Sequence, residues 1–200
     1  MKKLIIILSI LILVVCAVFA EEKQVIRVFT RVEASNPTFV LKAGLTADAF
    51  DRAVSDDSSS ILRWETVEKS IKAEDVVVFF EVVQRGDARQ PGEKYSLTIE
   101  ASGMILGFKE DGSSLEPNTK IYRTANGRVS DVTPIGGEKA IVEVSNVKSI
   151  VTDTAMILAE YTGVVEDGTP IAKFTVTWPK DIDAPDGIYQ ASVILKVSQQ

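Results

Sequence analysis

The chain contains no histidine, and its one cysteine, Cys16, lies in an apolar run near the N-terminus. Without imidazole there can be no histidine-based triad, zinc site or proton shuttle, which removes the commonest general base and the commonest metal ligand. Past residue 20 there is neither a thiol nucleophile nor a disulfide. Acids outnumber bases 28 to 22, so affinity for nucleic acid through phosphate neutralisation is excluded. A domain of this size without cysteine must rely on its hydrophobic core, not on cross-links.

What is present first is an address. Met1-Lys2-Lys3 precedes Leu4 to Phe19, apolar except for Ser9, and Glu21-Glu22-Lys23 follows. A positive start, an apolar middle and small residues before a polar stretch make a secretory signal peptide. A membrane-spanning helix needs about 20 apolar residues, and this run is shorter. Val18 and Ala20 fit the −3 and −1 positions of a cleavage site, so cleavage after Ala20 is expected. The alternative is lipid attachment at Cys16, because Leu13-Val14-Val15-Cys16 resembles a bacterial lipobox, with Val15 bulkier than the usual residue there. The expected organisation is a signal peptide over residues 1–20 and one domain over 21–200. Cleavage removes Lys2 and Lys3 and leaves 20 basic against 28 acidic groups, a formal charge of −8.

Period two dominates after residue 24. Ile26, Val28, Thr30 and Val32 share one face, and Tyr189, Ala191, Val193, Leu195 and Val197 share another, as half-buried strands require. Tyr95 to Ala101 and Ala172 to Trp178 alternate in the same way. Val76 to Val83 is apolar on both faces except at Glu81, which predicts a central strand. Ile121 to Thr124 and Arg128 to Val132 flank Asn126-Gly127, a dipeptide suited to a tight hairpin, and Ala140 to Val147 and Met156 to Val165 are further strand candidates. Turn residues recur at Arg85-Gly86-Asp87, Gln90-Pro91-Gly92, Glu110-Asp111-Gly112, Glu166-Asp167-Gly168 and Pro185-Asp186-Gly187. Helix is scarce: Thr46 to Val54 admits two turns, and Trp64 to Lys72 reads either as helix or as strand. The expectation is an all-β, antiparallel, immunoglobulin-like β-sandwich of eight to ten strands.

Asp186-Gly187-Ile188-Tyr189-Gln190-Ala191 resembles the segment entering strand F of immunoglobulin-like domains, with Ala191 where antibody domains carry a cysteine. The sequence reaches Gln200 while still in this strand, which suggests an incomplete sandwich lacking its last strand. Bacterial pilins fill such a gap with a strand from the next subunit. The segment Glu22 to Glu33 is similar in layout to the leading strands of CFA/I-like chaperone-usher fimbrial subunits, which also end in a Gly-x-Tyr strand. The resemblance is confined to the two termini. It implies strand exchange through Val25, Ile26, Val28, Phe29, Thr30 and Val32, an acceptor groove bordered by Tyr189, Ala191, Val193, Leu195 and Val197, and other subunits or a periplasmic chaperone as partners. The competing expectation makes Val25 to Glu33 the first strand of a self-contained domain.

Other motifs offer chemistry. Arg85-Gly86-Asp87 is the tripeptide integrins recognise, and on a hairpin tip it is an adhesive-loop candidate. Asp181, Asp183 and Asp186 place carboxylates in one loop, where calcium is the metal to consider, but the spacing is not that of an EF-hand and Pro185 constrains the loop, so an acidic solvated turn is the preferred account and no metal is expected. Glu81 is the carboxylate expected to feel desolvation. Ser145-Asn146-Val147-Lys148 has Ser-x-x-Lys spacing without the companion motifs of penicillin-recognising enzymes. Trp64, Trp178, Tyr95 and Tyr122 are sugar-stacking candidates, Trp178 being placed in the core by its strand pattern. No paired acids stand out, so an enzyme is not expected, and no cofactor is implied. The expectation is a non-enzymatic structural or adhesive protein of the periplasm or cell surface, with a self-contained glycan- or protein-binding module as the alternative. Membrane contact is expected only through the signal peptide or a lipid on Cys16.

Overall fold

Strands form where side chains alternate, because successive residues of an extended chain point to opposite faces. The computed structural model describes residues 24–33, 39–47, 62–63, 67–135, 140–145 and 154–200. Among these there are thirteen strands and no helix: β1 (Gln24–Glu33), β2 (Phe39–Gly44), β3 (Leu62–Arg63), β4 (Val67–Lys69), β5 (Val76–Gln84), β6 (Lys94–Ala101), β7 (Gly103–Phe108), β8 (Arg123–Asn126), β9 (Arg128–Pro134), β10 (Ala140–Ser145), β11 (Thr154–Tyr161), β12 (Pro170–Trp178) and β13 (Ile188–Gln199). The described part of Trp64 to Lys72 is thus strand and turn. The expectations for Cys16, Ala20, Trp64, residues 48–54 of the helix candidate and residues 146–148 lie outside the described residues.

The strands make two packed sheets, a β-sandwich. One sheet runs β2-β5-β12-β9, and the other runs β10-β11-β6-β13-β1, with β3 and β4 on the far side of β1 and β7 and β8 along the first half of β13. Their inner faces form one core, with Ile26, Leu41, Phe80, Leu97, Ile157, Phe174, Val193 and Leu195 at most 2% exposed. Phe80 and Phe174 stack across β5 and β12 at 5.0 Å. β5 carries apolar residues on both faces because it is the inner strand between β2 and β12.

Two features correct the sequence reading. The expected antiparallel arrangement holds for all the described pairs except β1 with β13, which run parallel. The expected hairpin at Asn126-Gly127 is a crossing between sheets: β8 pairs with β7 and β9 pairs with β12. The reason is packing. A Cβ on Gly127 would lie 2.7 Å from Val176 Cγ1 and 2.8 Å from the Trp178 ring, so glycine is required for a close approach to the core and not for a tight turn. Trp178 is itself 1% exposed and donates its indole N–H to the Ser102 carbonyl at 2.7 Å. Ser102 forms the break between β6 and β7, and the Ser192 N–H of β13 donates to its hydroxyl at 2.9 Å.

Candidate functional site

The N-terminal segment and the final strand, each singled out by its alternation, are hydrogen-bonded neighbours. Val25 pairs with Ile188, and the register continues without a shift to Glu33 opposite Lys196. Ile26, Val28 and Thr30 point inward at 0%, 0% and 3% exposure. Tyr189, Ala191, Val193 and Leu195 do the same from β13 and are buried, and Val197 packs partly buried at the edge of the core. Val25, Arg27 and Phe29 lie on the outer face and are half-buried. Arg27 sits over the Phe108 ring at 5.5 Å, an arrangement favoured by the ring quadrupole. On its other edge β1 pairs antiparallel with β4 over Gln24 to Ile26 and with β3 at Phe29 and Thr30. The slot beside β13 is therefore filled by a strand of the same chain, flanked on both edges.

The parallel direction places the start of β1 at the same end of the sandwich as the start of β13. At this N-terminal pole three loops meet, each tied to another. The Tyr122 hydroxyl donates to Asp181 Oδ2 at 2.8 Å, the Asp181 N–H donates to the Ile71 carbonyl at 2.7 Å, the Lys180 N–H donates to Asp75 Oδ1 at 2.9 Å, and Lys72 Nζ donates to Asp186 at 2.6 Å. Tyr189 donates its hydroxyl to the Pro185 carbonyl four residues upstream at 2.6 Å, the geometry of a tyrosine corner. Asp181 also accepts the Asp183 N–H on Oδ1 at 3.2 Å, and its carbonyl accepts the Ala184 N–H at 3.1 Å.

These contacts account for the carboxylates of two of the three aspartates considered for calcium. Asp181 is satisfied by a phenol and a backbone amide, and Asp186 is paired with Lys72; among the described residues no three acidic side chains gather to hold a metal ion. The bond to Asp181 together with desolvation pushes the Tyr122 phenol up to about 12. Burial raises Tyr189 as well.

The opposite pole carries Arg85-Gly86-Asp87, not on a hairpin tip as expected but on the crossing from β5 of one sheet to β6 of the other. Gly86 adopts φ +81°, and Gly86 and Asp87 are exposed. Arg85 Nε lies 3.7 Å from Asp167 of the β11–β12 loop, and the same carboxylate oxygen accepts the Gly86 N–H at 3.1 Å. The two loops are zipped by backbone bonds: Arg89 and Val165 exchange N–H···O bonds of 2.8 and 3.1 Å, and Gln84 exchanges them with Thr169 and Gly168. Beneath them the Gln84 side chain is fully buried. It accepts the Tyr161 hydroxyl at 3.2 Å and donates to the carbonyls of Arg85 and Asp87. Tyr95 packs edge-on against Phe39 and Tyr161, and its hydroxyl accepts Arg89 Nη1 at 3.1 Å. The sugar-stacking candidate Tyr95 is thus part of the core, like Trp178. Glu81 stands on the outer face of β5 between Lys42 and Lys173, its partners in register on β2 and β12.

Sequence reasoning missed Gln84, Asp167, Lys72 and the parallel pairing. Gln84 extends an apolar strand by one residue and gives no signal of its own, whereas the acid–amide contacts join residues far apart in sequence. No protein-family model matches the chain, and no curated protein matches it.

Proposed function

We propose that the chain is an exported, non-enzymatic structural and adhesive β-sandwich of immunoglobulin-like type, whose copies assemble by exchanging strand β1. The order β2-β5-β12-β9 corresponds to strands A-B-E-D of a constant-type immunoglobulin sheet, β6 and β13 take the positions of C and F, and Tyr189 takes that of the corner tyrosine. In that scheme the open flank of F belongs to an antiparallel strand G. The observation that carries the proposal is that a nine-residue parallel register of β1 occupies this flank. The strand arrives from the opposite end of the sequence, and its inner side chains are buried as a donated strand's would be. A second reading, a self-contained binding module, is favoured by the fact that β1 already pairs within its own chain.

Phe29 and Ser192 are register partners on the outer face, and neighbouring strands lie within the Cα separation a disulfide spans. Residues 21–200 contain no cysteine, so the variant Phe29→Cys with Ser192→Cys reports without background. Under exchange, oxidation after concentration or mild warming gives covalent multimers. Intrachain bonds alone, at every concentration and temperature below unfolding, overturn exchange in favour of the self-contained module.

A further inference from the structure

The four large apolar side chains standing exposed among the described residues are Leu45, Ile121, Val164 and Ile182, and the two most exposed, Ile182 at 80% and Ile121 at 65%, are both at the N-terminal pole. Neither is a loose tip. Ile182 heads the turn closed by the Asp183 and Ala184 N–H groups on Asp181, and Ile121 precedes Tyr122, whose hydroxyl is bonded to the same Asp181. One carboxylate thus anchors both presentations, so the two side chains are held outward with little ordering cost left to a binding event. Lys120 and Lys180, both exposed, stand beside them in sequence.

This pole is also where β1 begins, at Gln24. The apolar run of residues 4–19 and Cys16 lie only a few residues earlier, and an extended residue spans at most about 3.6 Å. In a chain not cleaved after Ala20 and held in a bilayer by that segment, or by a lipid on Cys16, the start of β1 is tethered within about 18 to 29 Å of the bilayer surface, so this pole is the one nearest the bilayer. We propose that Ile121 and Ile182 are membrane-contact residues: they insert into the acyl boundary of a phospholipid bilayer while Lys120 and Lys180 reach the phosphates. A single acyl anchor binds only marginally and stable attachment takes a second signal; the isoleucine pair supplies it. Acidic groups are interspersed at this pole, among them Asp183 and Asp186, so the contact is one of apolar insertion into a neutral surface and not of attraction to anionic lipid. This inference rests on the anchored form of the export reading, with the segment of residues 4–19 retained or Cys16 lipidated and not cleavage after Ala20, and is independent of strand exchange. It places the Arg85-Gly86-Asp87 loop at the pole turned away from the membrane.

The test uses the full chain of residues 1–200 in phosphatidylcholine vesicles, with the photocrosslinking amino acid p-benzoylphenylalanine placed at 182, at 121, or at 87 as the distal reference. All three sites are exposed, so the fold tolerates the replacement, and thermal unfolding of each variant verifies it. Lipid adducts at 182 and 121 are expected at least ten-fold above those at 87. Equal yields at the two poles, no adduct at 182, or adducts at 182 to protein instead of lipid each overturn membrane contact. The cysteine cross-link between positions 29 and 192 is unaffected by any of these results.

Discussion

At the N-terminal pole the loops are held together largely by side chains, whereas at the opposite pole they are held largely by backbone. Tyr122, Asp181, Lys72, Asp186, Asp75 and Tyr189 make the ties at the first. At the second, the amides and carbonyls of Gln84, Arg89, Tyr161, Val165, Gly168 and Thr169 make most of them. Backbone ties are indifferent to side-chain identity, so the residues at a zipped loop tip are free to vary or to serve recognition. Side-chain ties fix the sequence and expose the pole to pH. The N-terminal pole is held in one shape by its side chains, whereas the distal pole leaves the side chains at its tip free to vary.

The largest expected contrast comes from one glycine at each pole. Gly187 has φ +146°, and a Cβ there would lie 2.5 Å from Leu106 Cδ1 and 2.6 Å from the Phe108 carbonyl oxygen. Gly187→Ala combines backbone strain with overpacking and is expected to destabilise by about 3 kcal/mol or more. Gly86 has φ +81° and nothing within 4 Å of the point a Cβ would occupy, so Gly86→Ala carries only the left-handed penalty, about 1 kcal/mol. Urea denaturation of both variants measures the difference, and equal losses would break the contrast between the poles.

Gln84 is the place where the distal pole does depend on a side chain. Gln84→Ala strips the acceptor from the buried Tyr161 hydroxyl and two donor contacts from the loop carbonyls. An unsatisfied buried group of this kind costs about 2 kcal/mol. Adding Tyr161→Phe removes the orphaned hydroxyl, so the double variant should lose less than the sum of the two singles. Strict additivity would show that the Gln84–Tyr161 bond contributes nothing.

A smaller effect is expected from Tyr189→Phe, which removes the half-buried bond to the Pro185 carbonyl for about 1 kcal/mol. The same pole should respond to alkali. The folded state raises the Tyr122 phenol from 10.0 to about 12 and moves Tyr189 upward as well. Above pH 10 the unfolded chain therefore releases protons that the folded chain retains, and the stability these groups contribute, whole below pH 10, falls as pH rises toward 12. Tyr161 is raised by burial too, so the distal pole shares in the loss of global stability. Tyr122→Phe should flatten the decline between pH 10 and 12, and an unchanged slope would remove Tyr122 from the account.

Many of the strands were legible because period two states which residues face the core, whereas β2 and β7 were not singled out and the thirteen strands exceed the expected eight to ten. Tyr95 to Ala101 and Ile188 onward are strands where their alternation puts them, and the two-sided apolar run at Val76 marks an inner strand. Period two does not state which strand lies alongside. The parallel seating of β1 on β13 depends on a crossover that no local pattern encodes. Asn126-Gly127 misled for a related reason: its local chemistry suits a hairpin, but the need for glycine is set by Val176 and Trp178, about fifty residues away in sequence. The acidic loop read as a metal candidate because its partners Tyr122 and Lys72 lie far from it in sequence. Arg85-Gly86-Asp87 was legible as a motif and as a turn, but not as a loop tethered by Asp167.

That tether gives the smallest expected change in stability and the sharpest reading of the distal pole. Asp167 holds Arg85 at 3.7 Å in a pair whose side chains are 39% and 57% exposed. Exposed pairs of this kind contribute below about 1 kcal/mol, and the backbone bonds of Arg89 with Val165 and of Gln84 with Gly168 hold the two loops without it. Asp167→Ala should therefore shift the unfolding midpoint by no more than about 4 °C. It does, however, remove a carboxylate that competes with any external acid for the Arg85 guanidinium. If the loop is adhesive, surfaces coated with an integrin ectodomain should retain the Asp167→Ala chain more strongly than the parent, and Asp87→Glu in that background should abolish the gain by moving the carboxylate outward along a longer side chain. Retention that is the same for the parent, Asp167→Ala and the double variant would show that the tripeptide serves only its turn.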